Sequence, residues 1–125
     1  MNKTYIPAIL VLIFVLIFHI LGMNMYWYLE YSWYDIMMHI VTGAGIALST
    51  LWFVETIKKG EAKKRLWIII IATLIAGVLW EALEAKYGIA GFHFGTQKYW
   101  IDTIKYLSDD TLGSLVVYII YKKYF

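Results

Sequence analysis

The stretch "LWIIIIATLIAGVLWEALE", Leu66 to Glu84, decides how the chain is read. Its first fifteen residues carry no charge, and then Glu81 and Glu84 arrive one helical turn apart. An uncharged run of this length, continuing to about Tyr87, suits a helix crossing a bilayer core of about 30 Å, which needs roughly 20 mainly apolar residues. Two carboxylates at one end of such a helix are costly, so they need an explanation.

The surrounding composition supports a membrane reading. Of 125 residues, 62% are hydrophobic and 18% aromatic. Soluble domains are closer to half apolar. The absence of cysteine removes disulfides, thiolate nucleophiles and cysteine zinc sites. Besides residues 66–87, three segments reach spanning length: 5–25, 34–57 and 102–124, the last being the least apolar. The first follows Lys3 as a signal peptide would, but it exceeds the roughly 7–15 residues of a signal core and lacks a small-x-small cleavage site. It is expected to be an uncleaved helix. The predicted fold is all-α: a single transmembrane domain over residues 1–125, forming an integral membrane four-helix bundle.

Basic residues orient it. Lys3, the run Lys58, Lys59, Lys63, Lys64 and Arg65, and Lys122 and Lys123 fall on one side of four spans. Lys and Arg concentrate on the cytoplasmic side, so both termini are predicted to be cytoplasmic in the cell (inner) membrane. Aromatic residues at 25–34 and 99–100, and again at Trp52, Trp67, Tyr121 and Tyr124, fit two interfacial belts. The basic loop also suits anionic lipid. No nucleic-acid motif is present and no nucleic-acid partner is expected, whereas the lipid bilayer is; a homodimer is plausible because so small a bundle encloses little volume.

With that topology most acids separate from most bases, the exceptions being Lys86, Lys98 and Lys105 on the acidic side and Glu55 and Glu61 on the basic one. Glu30, Asp35, Glu81, Glu84, Asp102, Asp109 and Asp110 all fall at or near the outer ends. At about 1.5 Å per residue, His19, His39, Glu81 and the Asp109–Asp110 pair lie at similar depths. Side chains three and four apart share a helical face. Asp35, His39 and Gly43 therefore form one stripe, Gly77, Glu81 and Glu84 a second, and Asp102, Tyr106, Asp110 and Gly113 or Ser114 a third. Small residues permit close helix approach in membranes. Carboxylates facing lipid would cost roughly 2.5–3.5 kcal/mol each at mid-bilayer, so they should face inward, where they repel one another. Protons, a basic partner or a metal ion must compensate.

A carboxylate-rich helical site with histidine suits a divalent ion such as Mg, Mn, Fe or Zn. The predicted ligands are Asp35, His39, Glu81, Glu84 and Asp110, with Glu81 and Glu84 also candidates for catalytic bases. His19, His93, Asp102 and Asp109 are secondary candidates. Each has a plainer reading: Asp35 and Asp102 as helix caps, Asp109 as a partner of Lys105, and His19 as a hydrogen-bonded core residue. His93 lies in a glycine-rich loop, residues 88–101, that could form an outer hairpin or lid. The HExxH metalloprotease, phosphate-loop and dinucleotide motifs are absent, and no organic cofactor is expected.

The segments "WYDIMMHIVTGAGIA", "GVLWEALE" and "FGTQKYWIDTIKYLSDDTLGS" resemble the YjdF-type inner-membrane proteins, which are more distantly similar to VanZ-like proteins. The resemblance covers residues 33–117 and points to Asp35, His39, Gly43, Glu81, Glu84, Gly95, Thr96, Gln97, Asp102, Asp110 and Gly113. It departs at Tyr106, where members of that type often carry another acid. The resemblance implies membrane location but no established activity. Three functions follow from the residues. The site could bind a divalent cation, serving structure or activating water against a lipid-linked or periplasmic substrate. It could drive proton-coupled movement of a cation or small solute. It could belong to a structural or lipid-binding module whose acids share protons.

Overall fold

A computed structural model describes residues 3–57, 62–87 and 95–124. They form α1 (Tyr5–Asn24), a single turn α2 (Trp27–Glu30), α3 (Ser32–Thr56), α4 (Ala62–Lys86) and α5 (Gln97–Tyr124), with no strand among the described residues. α1, α3 and the Lys63–Lys86 part of α4 are long and apolar enough to cross a membrane. α5 has 28 residues but carries too much charge to join them on composition. Its length, about 42 Å at 1.5 Å per residue, exceeds a bilayer core.

The apolar residues are distributed inside out relative to a soluble protein. Leu10, Leu16, Ile75 and Ile104 are exposed, while Thr4, Thr73, Thr103 and Ser114 are buried. The buried apolar cluster is small: Ala47, Leu51 and Ile69, with Val117, Tyr118 and Tyr121 against it. Burying apolar surface stabilises a fold only when the alternative is water. In hydrocarbon, association comes instead from close packing and hydrogen bonds.

α3 occupies the centre, packing on α1, α4 and α5, and α4 also packs on α5. Among the described residues α1 packs on α3 and α2 but not on α4 or α5. The tightest pairing is between α3 and α5. A Cβ on Gly43 would overlap the backbone carbonyl of Asp110, and one on Gly113 would overlap that of Ile40. Each glycine lets the other helix's backbone touch its own. Ser114 fills the crossing: its hydroxyl lies 2.6 Å from Thr73 Oγ1 and 3.0 Å from the Gly43 carbonyl. Thr73 can donate to Ser114 while Ser114 donates to the Gly43 carbonyl, joining α3, α4 and α5 at one point.

One end of the molecule carries the basic residues and has its own network. Glu55 accepts from Thr4 at 3.1 Å and from Tyr121 at 2.7 Å, and Arg65 donates to Tyr121 at 2.6 Å. Thr4 precedes α1, and the other three side chains come from α3, α4 and α5. At the other end the chain turns from α1 to α3 through Tyr26, the one described non-glycine residue with positive φ (58°), then α2 and an extended Tyr31.

Three expected starts move. α4 starts at Ala62 rather than residue 66. α3 starts at Ser32 rather than residue 34. α5 starts at Gln97, not 102, because the Thr96 hydroxyl accepts from the Tyr99 backbone N–H at 3.3 Å. A threonine cap supplies a start signal that apolarity does not. Asp102 is therefore not a cap, and Asp110 lies about 20 Å along its helix. Residues 88–94, including His93 and most of the expected lid, lie outside the described residues.

Candidate functional site

The polar stripes of α3, α4 and α5 meet near the acidic end, and His39 stands at the middle. Its Nδ1 lies 2.9 Å from Asp110 Oδ1. Its Nε2 faces two further carboxylates, Asp35 Oδ1 at 3.6 Å and Glu81 Oε1 at 3.7 Å. The Tyr106 ring stacks on the imidazole with centroids 4.3 Å apart and planes 11° from parallel, its hydroxyl close to Asp35. His39, Glu81 and Asp110 are all buried.

Glycines make room for this group. Gly43 admits the Asp110 backbone, and a Cβ on Gly77 would stand 2.8 Å from Asp110 Oδ2. One acid is thus seated by glycines on two different helices. Glu81 has no such cradle: its Oε1 is buried with no hydrogen-bond partner. An unsatisfied buried carboxylate oxygen is expensive, so Glu81 is a natural seat for a proton or a cationic ligand.

The group opens into a cavity of about 430 Å³ at the acidic end. Asp35, Glu81, Glu84 and Asp102 line it together with Tyr26, Tyr28, Tyr99 and Tyr106, and among the described residues no Lys or Arg does. A second space of about 250 Å³ lies between α1 and α4 and reaches His39 and Asp110 from the side. His19 borders both spaces. Its Nδ1 lies 2.8 Å from the Tyr28 hydroxyl, and its ring meets Trp80 edge-on at 5.4 Å. Tyr28 stands outside the spans, where burial first, and then the nearby Asp35 charge, raises its pKa. It stays a neutral donor.

The structure thus gathers Asp35, His39, Glu81 and Asp110 in one group, with Glu84, Asp102 and His19 on the cavity wall. Asp109 is apart. Its Oδ2 is buried without a hydrogen-bond partner, and the expected partner Lys105 lies over the Tyr106 ring at 5.4 Å. Tyr106, where the YjdF-type resemblance led one to expect another acid, is the ring against which His39 is packed. Its place on the Asp102–Asp110 stripe was the available signal. Tyr28 and Tyr99 carried none beyond interfacial aromaticity.

The expected five-ligand metal set does not fit. No group of three His, Asp or Glu side chains among the described residues is disposed to hold a metal ion. The reason lies in the ring: Asp110 takes Nδ1 on one edge, while Asp35 and Glu81 face Nε2 on the other. These three carboxylates face the ring rather than a common empty point.

The family model described as predicted membrane protein (DUF2238) matches residues 3–125. The chain belongs to this family. That agrees with the YjdF-type resemblance and with a bilayer as its surroundings; the match says nothing about VanZ-like proteins. No curated protein and no solved structure matches the chain.

Proposed function

We propose that the chain crosses the cell membrane four times with both termini cytoplasmic, and that its acidic end is an outward-facing site coupling protons to the movement of a cation or small solute. The orientation rests on the basic residues at the opposite end. α5 serves as the fourth span because its most buried acid, Asp110, is turned toward α3 and α4 rather than lipid.

The observation that carries the reading is His39 set among three carboxylates, two of which, Asp35 and Glu81, line the acidic cavity. One imidazolium offsets one carboxylate. The remaining negative charge is balanced by protons when the cavity is empty of cations, and a cation entering beside Glu81 displaces them. Proton release and cation binding are then two sides of one equilibrium, which is the requirement for coupling. Ionisable residues within membrane spans commonly mark such pathways.

The test is cation-dependent proton flux in proteoliposomes with a trapped pH dye, with tetramethylammonium or sodium added outside. The expected result is a change in internal pH that Glu81→Gln abolishes while the protein remains folded. An unchanged signal in Glu81→Gln, or no flux and no binding with either cation, overturns the proposal.

A further inference from the structure

The space between α1 and α4 exists for a physical reason. α1 packs on α3 and not on α4, so the two outer helices leave a crevice whose floor is α3. Leu12, Val15 and Leu16 from α1, Ala76 from α4 and Ile46 from α3 give it an apolar side, and His39, Thr42 and Asp110 also line it. Leu12 and Leu16 are also exposed on the outside of the helix, at 44% and 60%, so the crevice mouth meets the lipid-facing surface.

The crevice does not end blindly. It shares His19, Tyr28, Asp35 and Glu84 with the acid-lined cavity, so the apolar and acidic spaces join at one level. At that level stands Glu81, nine-tenths buried, with Oε1 unpartnered and bordering the cavity. Around it stand four tyrosines and three more carboxylates, with no Lys or Arg among the described residues. Tyrosine faces attract organic ammonium groups, as aromatic cages do. The shape and charge together describe a molecule with an alkyl chain on one side and an ammonium group on the other.

We infer that the ligand of this site is a membrane-borne amphiphile with an organic ammonium headgroup, its chain lying between α1 and α4 and its headgroup among Glu81, Asp35, Glu84 and the tyrosines. This rests on the outward cation site proposed above and names its substrate class. His19 stands where chain and headgroup would join. Its contacts with Tyr28 on α2 and Trp80 on α4 span the gap, so entry from the side requires that bridge to part.

Binding of dodecyltrimethylammonium and of tetramethylammonium to the full chain in lipid nanodiscs tests this, read by tryptophan fluorescence. Dodecyl sulfate and dodecyl maltoside serve as chain-bearing controls. Two variants fill the crevice from opposite walls, Ala76→Leu and Val15→Phe, and either suffices if the other fails to fold. Partition of the chain into the disc is common to all proteins, so the ratio between variant and parent reads the crevice alone. The expected result is at least a tenfold loss of dodecyltrimethylammonium affinity in a filled variant, with tetramethylammonium affinity unchanged and neither control competing. Equal binding of dodecyltrimethylammonium to parent and filled variants overturns the inference while leaving a soluble-cation site standing. Failure of both ammonium ions to bind the parent overturns the inference and the site together. Competition by dodecyl sulfate or maltoside also overturns it, because the crevice would then be selecting chains without regard to charge.

Discussion

Asp110 reaches His39 twice: its carboxylate lies 2.9 Å from the ring nitrogen, and its backbone carbonyl fills the space that a side chain at Gly43, one turn from His39, would need. The ion pair and the helix crossing are therefore the same contact. The charge is not added to a finished fold; it occupies the place where α3 and α5 come closest.

Breaking that pair from one side should cost far more than removing it whole. His39→Leu leaves Asp110, Asp35 and Glu81 with no positive neighbour in a buried place, and Asp110→Leu leaves the imidazole unpartnered. Loss of one member of a buried pair typically costs about 3–5 kcal/mol, whereas apolar replacement of both can be close to neutral. The double variant His39→Leu/Asp110→Leu is therefore expected to be more stable than the sum of the single losses predicts, by up to about 3 kcal/mol. Unfolding of the four proteins in detergent measures the cycle, and strictly additive losses would show that the two side chains are not coupled.

Glycine positions that look alike in the sequence should behave differently. Gly43→Ala and Gly113→Ala each drive a methyl into a backbone carbonyl that cannot rotate away. Overpacking costs about 1–3 kcal/mol when neighbours can adjust, and here the helices themselves would have to part, so the upper end or beyond is expected. At Gly45 an added Cβ meets only the side chains of Val11 and Leu12, at 3.2 and 3.3 Å. Gly45→Ala is expected to cost under about 1 kcal/mol, the range in which a small rotamer adjustment absorbs the methyl. Melting temperatures of the three variants check the ranking, and an equal loss at Gly45 would remove the distinction.

The spans within the described residues and the polar layer were legible in the sequence for one reason: charge is rare in long apolar runs, so its position stands out. Asp35, His39, Glu81 and Asp110 were found by that contrast, and helical spacing put each on a stripe with a glycine that proves to be a close contact or to make room for a partner. What the ring of His39 does was not legible. Acids at matching depth look like ligands around an empty point, and only geometry reveals an imidazole filling it. The same contrast hid Tyr106, because a tyrosine near an interface is ordinary. The open flank between α1 and α4 had no sequence signature, since α1 is apolar all round and would look the same packed or unpacked. Asp102 was misplaced because Thr96, a polar residue in a loop-like run, starts the helix.

At the basic end, Tyr121 should matter more than its position near the terminus suggests. Its hydroxyl donates to Glu55 and accepts from Arg65, and Glu55 in turn holds Thr4. Tyr121→Phe removes both bonds and leaves two charged partners short of one each. A loss of about 1–3 kcal/mol is expected, against about 1 kcal/mol for the bond to Glu55 that Thr4→Val removes. Because this network sits at the far end from the acid-lined cavity, ammonium binding should be unchanged in both variants. Reduced binding in Tyr121→Phe at a temperature where the protein is folded would show that the two ends communicate.

Tyr106 separates packing from polarity within the site. Its ring lies parallel to the imidazole at 4.3 Å and also borders the outer cavity. Tyr106→Phe keeps the ring and removes the hydroxyl beside Asp35, so ammonium binding should fall by no more than about threefold, the equivalent of losing one modest hydrogen bond. Tyr106→Leu removes the aromatic face presented to both cations, the imidazolium and the headgroup. Cation–π contacts are worth about 0.5–1 kcal/mol when exposed and about 2 kcal/mol or more when desolvated. Here that corresponds to a loss of roughly tenfold or more in dodecyltrimethylammonium affinity for Tyr106→Leu, with Tyr106→Phe close to the parent. Equal losses in the two variants would locate the contribution in the hydroxyl, and the ring would then be a packing surface for His39 and nothing more.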